Sequence, residues 1–237
     1  MVKIFTTLIL ILAVLSPAVS QKLMLGNNVP DPRSGQAGVM FDISNVTGFA
    51  DVEIQSFDVG VRPGTWTIHL YYTTGDTYNG VEGTGQAGVT NGDWVFAGSH
   101  QVVSTSTTQK YNIPLGFTLP FGQCKGVYLT STTSIAAGPV IYLINNGGNV
   151  FTDGSLTAFS GIGRTAIPGV FTGGTFGTSS GAACTPSANY RTLTGCVNYR
   201  IGAVVIPSIS QWGLFILSLI LVILGTVTIR QKVFAKI

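Results

Sequence analysis

Between two apolar ends, the hydrophobic positions of this chain recur with a period of two rather than 3.6. In residues 66–73, WTIHLYYT, one face takes Trp66, Ile68, Leu70 and Tyr72 and the other takes Thr67, His69, Tyr71 and Thr73. That is the pattern of a half-buried antiparallel strand. Comparable runs fall at 38–43, 53–62, 93–103, 111–120, 126–132, 139–144, 155–161 and 197–204, with Gly and Pro as punctuation. Nine short strands with such punctuation predict an all-β fold, an antiparallel β-sandwich of jelly-roll type. No tandem repeat is present, which argues against a solenoid or propeller.

Two connections are long, 74–92 and 162–192, and both are rich in glycine. Loops of that length in a compact domain are functional or mobile, and glycine without tight-binding residue types favours the second.

The ends are of another kind. Residues 1–20 carry a basic Lys3, a short apolar stretch, Pro17 and the small residues Ala18 and Ser20, the anatomy of a secretory signal peptide with its cut after Ser20. Near the other end, residues 214–229 (LFILSLILVILGTVTI) hold no charge, and 12 of the 16 are Leu, Ile, Val or Phe. At about −0.3 to −0.6 kcal/mol each these favour insertion into a bilayer. Counted from Trp212 the helix would be about 27 Å long, just under the roughly 30 Å hydrocarbon core. Arg230 and Lys232 follow as the membrane stop, and residues 230–237 form a basic tail expected on the cytoplasmic side. The chain thus divides into a signal peptide (1–20), an ectodomain (21–205), a short polar segment (206–213), a transmembrane helix (214–229) and the tail.

Charge changes the picture once the ends are set aside. Of 12 Lys and Arg, four (Lys3, Arg230, Lys232, Lys236) lie at the ends, which leaves eight against nine acidic residues in the ectodomain. A near-neutral domain does not point to nucleic acid as a partner.

Candidate chemistry is sparse. No nucleophile elbow, metalloprotease helix, phosphate loop or calcium loop occurs, and neither His69 nor His100 has a cysteine pair at zinc spacing, so no metal or other cofactor is expected. A hydrolase would need a His cluster or a carboxylate pair, the latter drawn from Asp42, Asp51, Glu53 and Asp58, and no spacing supports it. An enzyme is not the expectation. Cys184 and Cys196 bracket a short segment and are the candidate disulfide, which leaves Cys124 as a buried thiol or an intermolecular bridge. Tyr71, Tyr78 and Trp94, in or beside the first long connection, are candidate contacts for a glycan, against the plainer reading that strand aromatics fill space. Asn45-Val46-Thr47 is a formal glycosylation sequon.

The most specific stretch is 206–213, IPSISQWG, at the mouth of the apolar helix. Ile206, Pro207, Trp212 and Gly213, followed by a helix and a basic cluster, resemble the IPTLxxWG-CTERM sorting signal, a relative of the PEP-CTERM signals of Gram-negative bacteria. Ser208 and Ile209 stand where that motif has Thr and Leu. The resemblance covers the last 32 residues. It implies export across the inner membrane with help from signal peptidase, and a membrane-anchored precursor. An exosortase-like membrane enzyme would then process that precursor for delivery to the cell surface or extracellular matrix. Physically, Pro207 favours an extended approach, Trp212 suits the interface and Gly213 allows close access to the backbone. A plain single-pass anchor with an interfacial tryptophan is the alternative. The ectodomain is also loosely similar, through FDIS, EIQSFDVGV and HLYYTTGDTYNG, to β-sandwich regions of secreted bacterial proteins with such tails. Its expected role is structural or adhesive, with an extracellular polysaccharide as the candidate partner.

Overall fold

A computed structural model describes residues 20–26, 35–75, 94–131, 140–144, 149–164, 175–176, 184, 191–202 and 219–220. Its strands are β1 (Ser20–Leu25), β2 (Gly35–Gln36), β3 (Gly38–Asn45), β4 (Val52–Gly60), β5 (Gly64–Thr73), β6 (Trp94–Ser104), β7 (Lys110–Ile113), β8 (Phe117–Leu119), β9 (Cys124–Ser131), β10 (Ile141–Ile144), β11 (Val150–Thr152), β12 (Leu156–Phe159), β13 (Ile162–Arg164), β14 (Thr175–Phe176), β15 (Thr192–Leu193) and β16 (Gly195–Ile201). Every pairing among them is antiparallel.

The larger sheet has eight strands in the order β11-β12-β3-β9-β5-β6, with β13 also on β3 and β14 on β13. The smaller has five, in the order β1-β16-β4-β7, with β8 also on β4. A short sheet, β15-β10-β2, joins the end of β4 through a bridge between Val61 and Ile141. Alternation accounts for the packing. Phe41, Ile43, Ile68, Leu70, Val127 and Leu129 of the larger sheet share one core with Leu23, Val52, Ile54, Phe57, Val59 and Val197 of the smaller. Phe41 meets Phe57 edge to face at 6.4 Å, and Tyr72 stacks on Phe117 at 4.7 Å. Each such side chain withdrawn from water is worth roughly 1.5–3 kcal/mol, so this shared core dominates stability.

The sequence run at 111–120 becomes two strands because Pro114 has no N–H for the ladder. β7 pairs with Phe57–Gly60 and β8 with Val52–Ile54, so both lie along one edge of β4. Gly116 makes the join possible, since a Cβ there would collide with the Ile54 carbonyl. Part of the 162–192 connection is also regular: β13 extends the larger sheet from β3, and β14 pairs with β13.

The strands form one unit, Met1–Ala203, and Val204–Ile237 forms another. Of the second, Leu219 and Ile220 are described, helical and exposed. The signal peptide up to residue 19, the motif at 206–213, the rest of the apolar run and the basic tail with Arg230 and Lys232 lie outside the described residues. Among the described residues no helix is long and apolar enough to cross a membrane.

Candidate functional site

The outward face of the larger sheet is aromatic. Phe96 pairs with Tyr71, Tyr71 with Tyr128, Tyr128 with Met40 and Met40 with Ile162, so these five side chains form a row across β6, β5, β9, β3 and β13. Residues opposite each other in an antiparallel pair share a face, which makes the row continuous. A bulge creates its outer end. The register steps from Leu70–Gly98 to Tyr71–Phe96, leaving Ala97 extra, and Gly98 takes φ +145° beside it, where a side chain would be strained.

Burial grades along the row. Tyr128, Met40 and Ile162 are buried and Tyr71 is half-buried, while Phe96 is 52% exposed. The Tyr71 and Phe96 rings lie 5.1 Å apart, and the His69 ring lies 5.5 Å from Phe96 and 6.3 Å from Tyr71. Buried Nδ1 of His69 makes no hydrogen bond. Burial holds the imidazole below its ordinary pKa, so the ring is neutral at pH 7. His100 pairs with Ile68, a core residue, and His69 with Ser99, so the two histidines point to opposite faces and cannot share a site.

Of the three predicted glycan contacts, Tyr71 lies in this patch and Tyr78 falls outside the described residues. Trp94 is 6% exposed and packs at 5.9 Å against Tyr128, so its ring face is occupied by the protein and is not open to a ligand. Phe96 is the exposed ring that sequence reasoning missed. Its alternation with Trp94 was legible, but the bulge that seats it opposite Tyr71 was not.

The predicted Cys184–Cys196 disulfide is replaced by Cys124–Cys184, with Cα atoms 6.3 Å apart. Proximity in sequence misled because Cys196 belongs to β16, in the other sheet. Cys124 starts β9 opposite Ser44, on the outward face of the larger sheet, and Cys184 donates its N–H to the buried Asp42 carboxylate at 3.0 Å on that same face. The bridge therefore ties the 162–192 connection to the larger sheet. Cys196 is a buried free thiol, 3.4 Å from the Met24 sulfur and 3.8 Å from Lys110 Nζ. Desolvation pushes its pKa up, which leaves it inert.

The smaller sheet turns a polar ladder outward. Asp58 accepts from Lys22 at 2.6 Å, Asn112 at 2.8 Å and Asn198 at 3.0 Å, and both amides also reach Ser56. Burial raises the Asp58 pKa, but the hydrogen bonds from Asn112, Lys22 and Asn198 outweigh it and bring the carboxyl below its ordinary value. Glu53 pairs with Arg200, and Asp51 accepts the Phe121 N–H. The four carboxylates considered for hydrolysis thus each have a separate structural partner. Asn45 of the sequon is buried with both side-chain amide atoms bonded within the protein, so the folded chain does not present it as an acceptor.

No family model matches the chain, and no curated protein does. Among solved structures, VP2 of infectious bursal disease virus, in a subviral particle, aligns at 10% identity over 82% of this chain, with a TM-score of 0.22. The alignment covers 43% of the VP2 chain.

Proposed function

We propose that this is an exported bacterial surface or matrix protein whose sandwich has a structural or adhesive role. A signal peptide sends it across the inner membrane, the apolar helix at 214–229 holds it, and an exosortase-type enzyme processes it at IPSISQWG. The observation that carries this reading is the order of Ile206, Pro207, Trp212 and Gly213, an uncharged helix, and Arg230 with Lys232. It is supported by the position of the motif, which begins after the unit Met1–Ala203 ends. A cut after Ser20 would leave Gln21 to Leu25 of β1 with their β16 partners. The jelly-roll form of the sandwich belongs to the same reading: the chain passes between sheets at β3–β4, β4–β5, β6–β7 and β8–β9.

Intact mass of the protein from its native cells, with membrane and released material separated, tests the reading. Loss of residues 1–20 and of the segment beyond the motif is expected in the released form. Retention of 214–237 in all mature protein would leave a plain anchor.

The outward patch favours a further role on either kind of anchor, the binding of an uncharged glycan. β5 and β6 contain no Asp, Glu, Lys or Arg, and their paired outward residues include Thr67 and Gln101, His69 and Ser99, Tyr71 and Phe96. Aromatic faces beside neutral hydrogen-bonding groups suit a sugar ring and its hydroxyls. On an array of neutral glycans Phe96→Ala should weaken binding at least tenfold. An unchanged profile, or binding confined to anionic glycans, would remove this role.

A further inference from the structure

Both ends of the sandwich's chain emerge on one side of the fold. Ser20 lies opposite Arg200, so β1 begins where β16 finishes, and the Gly202 N–H donates to the Asp51 carbonyl at 2.8 Å. On the same side are two connections, 46–51 between β3 and β4 and 120–123 between β8 and β9. They are built as one piece. Asn45, only 1% exposed, donates Nδ2 to the Ala50 and Leu119 carbonyls at 2.8 and 3.1 Å and accepts the Thr47 N–H and hydroxyl on Oδ1. Its N–H donates to the Gln123 carbonyl at 2.9 Å, and the Phe121 N–H donates to the Asp51 carboxylate at 2.8 Å.

What this polar scaffold holds out to solvent is apolar: Val46, Phe49 and Phe121 are 45, 57 and 52% exposed. Three large apolar side chains are thus exposed at this one end, on two loops fixed by a buried asparagine.

We propose that this end of the sandwich is a bilayer-facing surface, on which Phe49 and Phe121, with Val46, rest in the lipid interface while the precursor is anchored. The inference rests on the anchored reading above. What selects lipid as the occupant is where the chain leaves. Residues 203–213 separate Gly202 from the apolar run, and eleven residues reach at most about 40 Å when extended. β5, ten residues long, spans about 34 Å, so the opposite end of the sandwich lies a further strand length from the point of exit. The end bearing the phenylalanines is therefore the one the tether brings to the membrane with slack. Because hydrogen bonds already fix the two loops, docking would order little new backbone.

The test uses the full chain reconstituted in vesicles of phosphatidylethanolamine and phosphatidylglycerol (~3:1), with a photoreactive benzoylphenylalanine replacing Phe49, Phe121 or Val103. Val103 is 63% exposed and sits opposite Thr65, at the far end of β5 and β6. Lipid adducts at positions 49 and 121, at least tenfold above position 103, are expected. No adduct at 49 and 121, or equal yields at all three, would overturn the inference. Flotation after an alkaline carbonate wash scores the anchor separately. A chain that stays with the vesicles yet gives no adduct leaves the anchor standing and sinks this surface. A chain that is stripped sinks the anchor, and the adducts formed before the wash still decide the surface.

Discussion

Tyr111 and Tyr199 place the same phenol in opposite surroundings. The Tyr199 ring is buried in the core, and its hydroxyl donates to the Asp153 carboxylate at 2.7 Å and lies 2.5 Å from the Gln21 side-chain amide. Burial first, and then the Asp153 carboxylate, push its pKa up. Beside the Ser104 and Thr105 hydroxyls, the Tyr111 oxygen accepts the backbone N–H groups of Thr105 and Ser106 at 2.8 and 3.0 Å, and these polar neighbours bring its pKa down to about 8. Donors aimed at an oxygen favour its ionised form. The sign follows: a lowered folded pKa adds stability as pH rises from about 8 towards the ordinary value of 10.0, and that gain is lost as pH falls back through about 8. Absorbance at 295 nm should therefore show one tyrosine ionising near pH 8 in the native protein. Tyr111→Phe should abolish that early step and leave the later ones in place. An early step that survives the substitution would assign it to a different residue.

At the scale of elements, alternation located the strands well and their partners poorly. Residues 66–73 lie within β5 and 126–131 within β9, because a half-buried strand writes its two faces into the sequence. β1 was missed since it pairs with β16, about 175 residues away, and no local pattern records such a partner. The disulfide failed for the same reason. Cys124 and Cys184 are 60 residues apart in sequence and meet only because β9 and the 162–192 connection share one face of the larger sheet. Closing a loop of that length stabilises by about 4 kcal/mol. Cys124→Ser should lower the unfolding free energy by roughly that amount. Cys196→Ser, which breaks no bridge, should cost about 1 kcal/mol. Chemical denaturation of the two variants beside the parent chain reads the difference directly, and equal losses would contradict the assigned pairing.

For the molecule as a whole, Tyr71 was legible as a candidate contact because an aromatic in a strand beside a long loop is conspicuous. The site around it was not, since Phe96 enters through a bulge and Trp94 is closed off by Tyr128, and both facts need the folded sheet. The same dependence on distant parts governs folding. β16 lies between β1 and β4 in the smaller sheet, so two strand pairs of that sheet require residues 195–201, the last of the described strands in chain order. Val197 and Tyr199 also carry part of the shared core. A chain ending at residue 194 would leave β1 without its partner and β4 with one edge bare, and contacts this far apart in sequence are late to form. It should show no cooperative unfolding transition and should be digested rapidly. A chain ending at residue 203 keeps every strand pair among the described residues and should unfold at a temperature close to that of the full chain. Processing anywhere within 206–213 would then release a sandwich that is already complete. If the chain ending at residue 203 proved as protease-sensitive as the one ending at 194, the segment beyond Ala203 would be part of the fold, and its removal could not be a maturation step.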